Sequence, residues 1–82
     1  MNFVDEHKDI LTQAVEGRER EVMHHQINID NYRLAVAEIE VNHADDPHMQ
    51  EFAAHLRDLL ASSLVEQTKE KIMLKVIKSQ LE

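Results

Sequence analysis

The stretch HHQINIDNYRLAVAEIEV, residues 24–41, decides the fold, because it combines features of a strand and of a helix. Residues 27–29 and 39–41 alternate between apolar and polar side chains, as half-buried strands do. In a strand, however, Tyr32, Leu34 and Val36 would all point away from the apolar side. A helix divides the apolar residues into continuous stripes, so the pattern predicts a helix here.

This predicted helix has two apolar stripes. Positions 22, 25, 29, 32, 36, 39 and 43 are apolar at five of seven places, and positions 23, 27, 30, 34, 37, 41 and 44 at six of seven. A helix that is apolar on two sides must be covered on both. We therefore predict interfaces along both stripes, formed by Val22, Ile29 and Val36 in the first and by Met23, Ile27, Leu34 and Val41 in the second.

The ends of the helices are predicted from local capping signals. Asn2 is a suitable N-cap for a first helix, and the segment NHADDPH places an N-cap residue, Asp46, directly before Pro47 at the first position of a second helix. We predict one helical domain, residues 1–82, with helix 1 at about 3–44, a turn at 43–46 and helix 2 at about 47–80. Gly17 leaves an alternative open, in which helix 1 breaks and the chain has three helices.

An all-α fold also agrees with the composition, since a single glycine and a single proline provide too few turn residues for a sheet. Two long helices joined by a short turn form an antiparallel hairpin, which has only one internal seam. On helix 2 the apolar residues after Val65 lie on a different side of the helix from those before it. We predict a separate face there, made of Ile72, Met73, Val76, Ile77 and Leu81. Dimerisation into a four-helix bundle would cover the remaining apolar surface.

Charge is unevenly distributed along the chain. The net charge is −7, and residues 1–66 hold 14 acidic and 5 basic residues, whereas residues 67–82 hold four lysines and two acids. An acidic body is repelled by nucleic acid phosphates, so we expect no direct nucleic acid binding and instead a basic protein partner. The segment KEKIMLKVIK, residues 69–78, is expected to pair with the acidic body of its own dimer; an anionic membrane or a partner groove are the alternatives.

Several functional classes have no support in the sequence. The chain has no cysteine, which fits a reducing compartment, and we expect a cytoplasmic protein. Residues 1–10, MNFVDEHKDI, lack the basic start and apolar run of a secretion signal, and no run of 18 apolar residues predicts a membrane span. Without a glycine-rich phosphate loop or a recognisable nucleophile motif, we expect no enzymatic activity, no catalytic residues and no cofactor.

Six histidines are many for a chain of 82 residues. His48, Glu51 and His55 follow one another along one side of helix 2, where they could bind a metal together with a ligand from a second chain. This is the metal site that the sequence predicts. The adjacent pair at residues 24 and 25 is expected to divide its roles, with His25 packed at a helix interface and His24 facing solvent.

Two short segments give a resemblance to a known family. HHQINID, residues 24–30, resembles a segment of the Gam family of phage nuclease inhibitors, and FAAHLRDLL, residues 52–60, is similar to a helix of that family, in the opposite order along the chain. The resemblance implies an acidic inhibitor that mimics DNA. We thus expect a homodimer that acts by protein–protein interaction, with a nucleic-acid mimic that binds a basic enzyme site as the alternative and a metal-binding bundle as the second alternative.

Overall fold

The computed structural model describes residues 3–82, with side chains from Asp5 onward, so the predicted Asn2 cap lies outside the described residues. Two helices, α1 (Phe3–Asn42) and α2 (Pro47–Ser79), pack against each other as an antiparallel hairpin. The Cα positions extend over 65 × 16 × 14 Å. The all-α hairpin is therefore confirmed, with α1 ending two residues and α2 one residue before the predicted ends. Neither helix has a stretch apolar enough to cross a membrane within the residues described.

Helix α1 continues through Gly17, so the three-helix alternative is wrong. The backbone of Gly17 has no positive φ, and a Cβ added there would meet nothing within 4 Å. Apolar residues that face α2 occur on both sides of the glycine, with Val15 buried and Val22 half-buried. Their packing offsets the roughly 1 kcal/mol that glycine costs inside a helix.

The turn is held by two side chains at the start of α2. An Asp46 carboxylate oxygen accepts hydrogen bonds from the backbone N–H groups of His48 at 2.9 Å and Met49 at 3.4 Å, and Pro47 occupies the first turn of α2. The Gln50 side chain donates to the carbonyl oxygens of His43 at 3.2 Å and Ala44 at 3.3 Å. These bonds satisfy groups that a helix end leaves without partners.

The seam between the helices has its main apolar cluster close to the turn. Ile39, Ala53 and Leu56 are buried there, with half-buried apolar residues around them: Tyr32, Ala35, Val36, Met49 and Leu59. Ala53 is fully buried, with 0% of its surface exposed. Farther from the turn, the seam is filled by Val15, Ile29 and Ile77.

The predicted separate face at the end of α2 is wrong as a single surface. Ile77 is buried in the seam and Leu81 is half-buried, whereas Ile72, Met73 and Val76 are exposed. Successive residues of a helix differ by about 100° in direction. For this reason Ile77 faces α1 while its neighbour Val76 faces outward.

Candidate interaction surfaces

The first predicted stripe of α1 is the side covered by α2. Ile29 is buried with 1% of its surface exposed, and Val22 and Val36 are half-buried. Three of the seven predicted interface residues thus belong to the seam of the hairpin itself. His25, on the same stripe, is half-buried and His24 is exposed, which confirms the roles predicted for the pair.

The second predicted stripe faces away from α2. We call it the outer α1 stripe, and it consists of Met23, Ile27, Asp30, Leu34, Ala37 and Val41, all of them exposed. Leu34 is 69% exposed and Val41 is 78% exposed. The residues of the outer α1 stripe are spaced alternately by four and three positions, which is the spacing of a coiled-coil seam. A single chain therefore leaves a second helix-packing surface uncovered.

A chain of hydrogen bonds connects the buried seam to this outer stripe. Gln67, only 5% exposed, donates from Nε2 to Oε1 of Gln26 at 2.9 Å and to the carbonyl oxygen of Val22 at 3.2 Å. The Gln26 amide in turn donates to Oδ1 of Asp30 at 2.9 Å. The Asp30 carboxylate is thereby oriented by a residue of the other helix. The sequence signal for this chain is a polar residue, Gln67, at a seam position of α2.

Helix α2 also has an outward stripe, near its C-terminal end. We call it the outer α2 stripe, and it consists of Val65, Lys69, Ile72 and Val76. The three apolar members are 48–57% exposed. Lys69 donates to Glu66 on the same helix at 3.0 Å, and of the lysines at 71, 75 and 78 none is ion-paired within the described part of the chain.

Two ion pairs join the helices. Arg18 contacts Glu70 at 3.0 Å, and Arg57 contacts Glu40 at 2.7 Å. Arg57 and Glu40 keep 48% and 56% of their side chains exposed, so this pair contributes little to stability. Glu70 keeps only 20% of its side chain exposed, and its pair with Arg18 is partly buried. Both pairs are compatible with the alignment of the two helices that the apolar seam imposes.

The predicted metal ligands are not brought together. His48, Glu51 and His55 are all exposed, and among the residues described no group of three or more His, Asp or Glu side chains could hold a metal ion. The two histidines are seven residues apart, or about 10 Å along the helix, whereas ligands lie about 2 Å from a bound ion. The hairpin thus gives no support to a metal centre.

The acidic residues of α1 are spread around its exposed sides. All nine that have described side chains are exposed: Asp5, Glu6, Asp9, Glu16, Glu19, Glu21, Asp30, Glu38 and Glu40.

The chain matches no family model, and comparisons with curated proteins and with solved structures give no match either.

Proposed function

We propose that the protein is a cytoplasmic, non-enzymatic protein that acts by protein–protein interaction and that its first partner is a second copy of itself, as a homodimer. The observation that carries this proposal is the exposure of the outer α1 stripe, with Leu34 at 69% and Val41 at 78%. Burial of apolar surface yields about 25 cal/mol per Å². A coiled-coil-like stripe left open on a long helix therefore favours packing against another helix.

The size of the chain supports self-association. A chain this short buries only about 60 to 65% of the surface that it exposes when unfolded, and a two-helix hairpin has one seam from which to gain stability. A second copy adds two further helices and a second seam. The proposed assembly thus has the four helices of a bundle.

Leu34→Asp tests the proposal directly. The substitution places a charge at the centre of the outer α1 stripe, where burial of an unpaired carboxylate is unfavourable, and we expect the mass measured by sedimentation to fall to that of one chain. Helical content measured by circular dichroism should stay the same, because Leu34 is exposed in the hairpin.

Ile10→Asp is the matched control, because Ile10 is 61% exposed but lies outside both outer stripes. We expect this variant to keep the mass of the unmodified protein. An unchanged mass for Leu34→Asp would refute the assignment of the stripe as an interface.

The nine exposed acids of α1 support a second candidate, an inhibitor that occupies the basic channel of a nucleic-acid-processing enzyme. Added protein should then slow the digestion of linear duplex DNA by an exonuclease with such a channel. Raising the salt concentration should relieve the inhibition steeply, since the contact is electrostatic. Unaltered digestion would eliminate this candidate and leave the apolar interface intact.

A further inference from the structure

We infer that residues 23–34 of the outer α1 stripe are covered by the outer α2 stripe of a second copy, packed antiparallel, with Asp30 opposite Lys69 of that copy. The inference rests on the self-association proposed above and specifies which surfaces meet. It makes the contact heterologous: each copy contributes a different surface, and a pair of copies keeps one outer α1 stripe and one outer α2 stripe open to a further copy.

The spacing of the two stripes carries the inference. Met23, Ile27, Asp30 and Leu34 are separated by four, three and four residues, and so are Val76, Ile72, Lys69 and Val65 when read backward along α2. Antiparallel packing thus forms four layers, which pair residue 23 with 76, 27 with 72, 30 with 69 and 34 with 65. Three layers are wholly apolar, and the fourth joins a carboxylate to an ammonium group.

The other arrangements of these surfaces leave charges unpaired. Parallel packing of the same stripes places Asp30 opposite Ile72 and Lys69 opposite Ile27. If two outer α1 stripes met instead, Asp30 would face Leu34 in the antiparallel register that pairs residues 27 and 37, and would face a second Asp30 in the parallel one. A charge buried without a partner is costly, so antiparallel α1–α2 packing is favoured.

Both charged residues are available for this contact in the hairpin. Asp30 is exposed, and Gln26 holds its Oδ1 atom at 2.9 Å while the hydrogen bonds of the described residues leave Oδ2 unused. Lys69 has 65% of its side chain exposed and pairs with Glu66 across one helical turn. Such an exposed pair contributes little to stability, so Lys69 can exchange it for Asp30 of a second copy.

The proposed register also fixes the axial offset between the two copies. Within one chain, contacts pair residue 26 with 67 and residue 18 with 70. Compared with these contacts, the pairing of 30 with 69 shifts the second copy along the helix axis by about 6 to 11 residues, or roughly 9 to 16 Å.

Mixing two variants tests which surfaces meet. Leu34→Asp blocks only the outer α1 stripe and Ile72→Asp only the outer α2 stripe, so each variant alone should sediment as a single chain. An equimolar mixture should form a species of two chains, because one intact stripe of each kind remains.

The outcomes separate the inference from the proposal beneath it. If Leu34→Asp is monomeric, Ile72→Asp still self-associates and the mixture gains nothing, two α1 stripes meet and the inference is overturned while the proposed function stands. If Leu34→Asp itself still self-associates, the proposed function fails first.

Charge reversal tests the register. Asp30→Lys and Lys69→Asp should each weaken self-association roughly tenfold, the equivalent of about 1.4 kcal/mol, and the double variant should recover most of that loss. Glu21→Lys is the matched control, since Glu21 is exposed on α1 outside the outer stripe, and it should leave association within about twofold of the unmodified protein. A double variant as weak as the single variants would contradict the pairing of Asp30 with Lys69.

Discussion

Gly17 shows how a residue with a strong local preference is overruled by its neighbours. Glycine inside a helix is unfavourable because it loses more backbone freedom on folding than any other residue. Here the apolar repeat continues on both sides of it, and the seam holds the helix together. The entropic cost of glycine is not offset by any packing benefit at this position, because no neighbouring atom occupies the space that a Cβ would fill.

Gly17→Ala should therefore stabilise the protein. We expect the free energy of unfolding, measured by urea denaturation, to rise by about 1 kcal/mol, because alanine restricts the unfolded chain and fits the open space. Ala54→Gly, at an exposed position of α2, is the reciprocal control and should lower it by a similar amount. A lower stability for Gly17→Ala would mean that the position needs glycine for a reason other than space.

Gln67 marks the limit of what single residues reveal in the sequence. The helical character of its surroundings follows from periodicity, but its hydrogen bonds depend on which residue of α1 lies opposite. Periodicity indicates which side of a helix is apolar and leaves the alignment of two helices open by whole turns. The polar chain from Gln67 to Asp30 was therefore beyond prediction, whereas the roles of His24 and His25 were predictable from their stripe positions.

At the scale of the elements, local chemistry determined how well each boundary could be predicted. The start of α2 is encoded by Asp46 and Pro47 alone, and the structure begins the helix at that proline. The end of α1 has no comparable signal, and Ala44 continues the apolar pattern. The helix stops at Asn42 because the next residues form the turn whose carbonyl groups bind Gln50.

Asp46→Ala should lower the free energy of unfolding by about 1 kcal/mol, since it leaves two N–H groups at the start of α2 without their acceptor. Thermal and urea denaturation would both report the loss. Asp45→Ala removes the same charge at a neighbouring exposed residue that makes no side-chain hydrogen bond within the described part of the chain. Equal effects of the two substitutions would show that charge, rather than the cap, is responsible.

At the scale of the whole molecule, the all-α hairpin was predictable, but which of the two α1 stripes packs against α2 was not. The two stripes of α1 contain similar numbers of apolar residues, so composition alone does not decide which one α2 covers. The covered stripe contains Ile29 and Ile39, both buried, whereas the other contains Asp30 at its centre. That charge makes the second stripe the poorer partner for the seam residues of α2.

The short turn between the helices has a consequence for the order of folding. Only four residues separate α1 from α2, and the cluster of Ile39, Ala53 and Leu56 lies directly beside them. Closing a short loop loses less entropy than closing a long one, so contacts near the turn can form in the folding transition state before those at the open ends. We therefore expect contacts between the helices to form first beside the turn and then progressively toward the open ends.

Kinetics of the monomeric Leu34→Asp background would detect this order. Leu56→Ala should slow folding, with a φ value above about 0.5, while Ile77→Ala should mainly accelerate unfolding, with a φ value near zero. Equal φ values at the two positions would show that the seam forms all at once. If folding does proceed from the turn, the part of α2 that contains Lys69 and Ile72 separates from α1 first when the hairpin unfolds. A second copy bound to these residues would then stabilise the part of the hairpin that folds last.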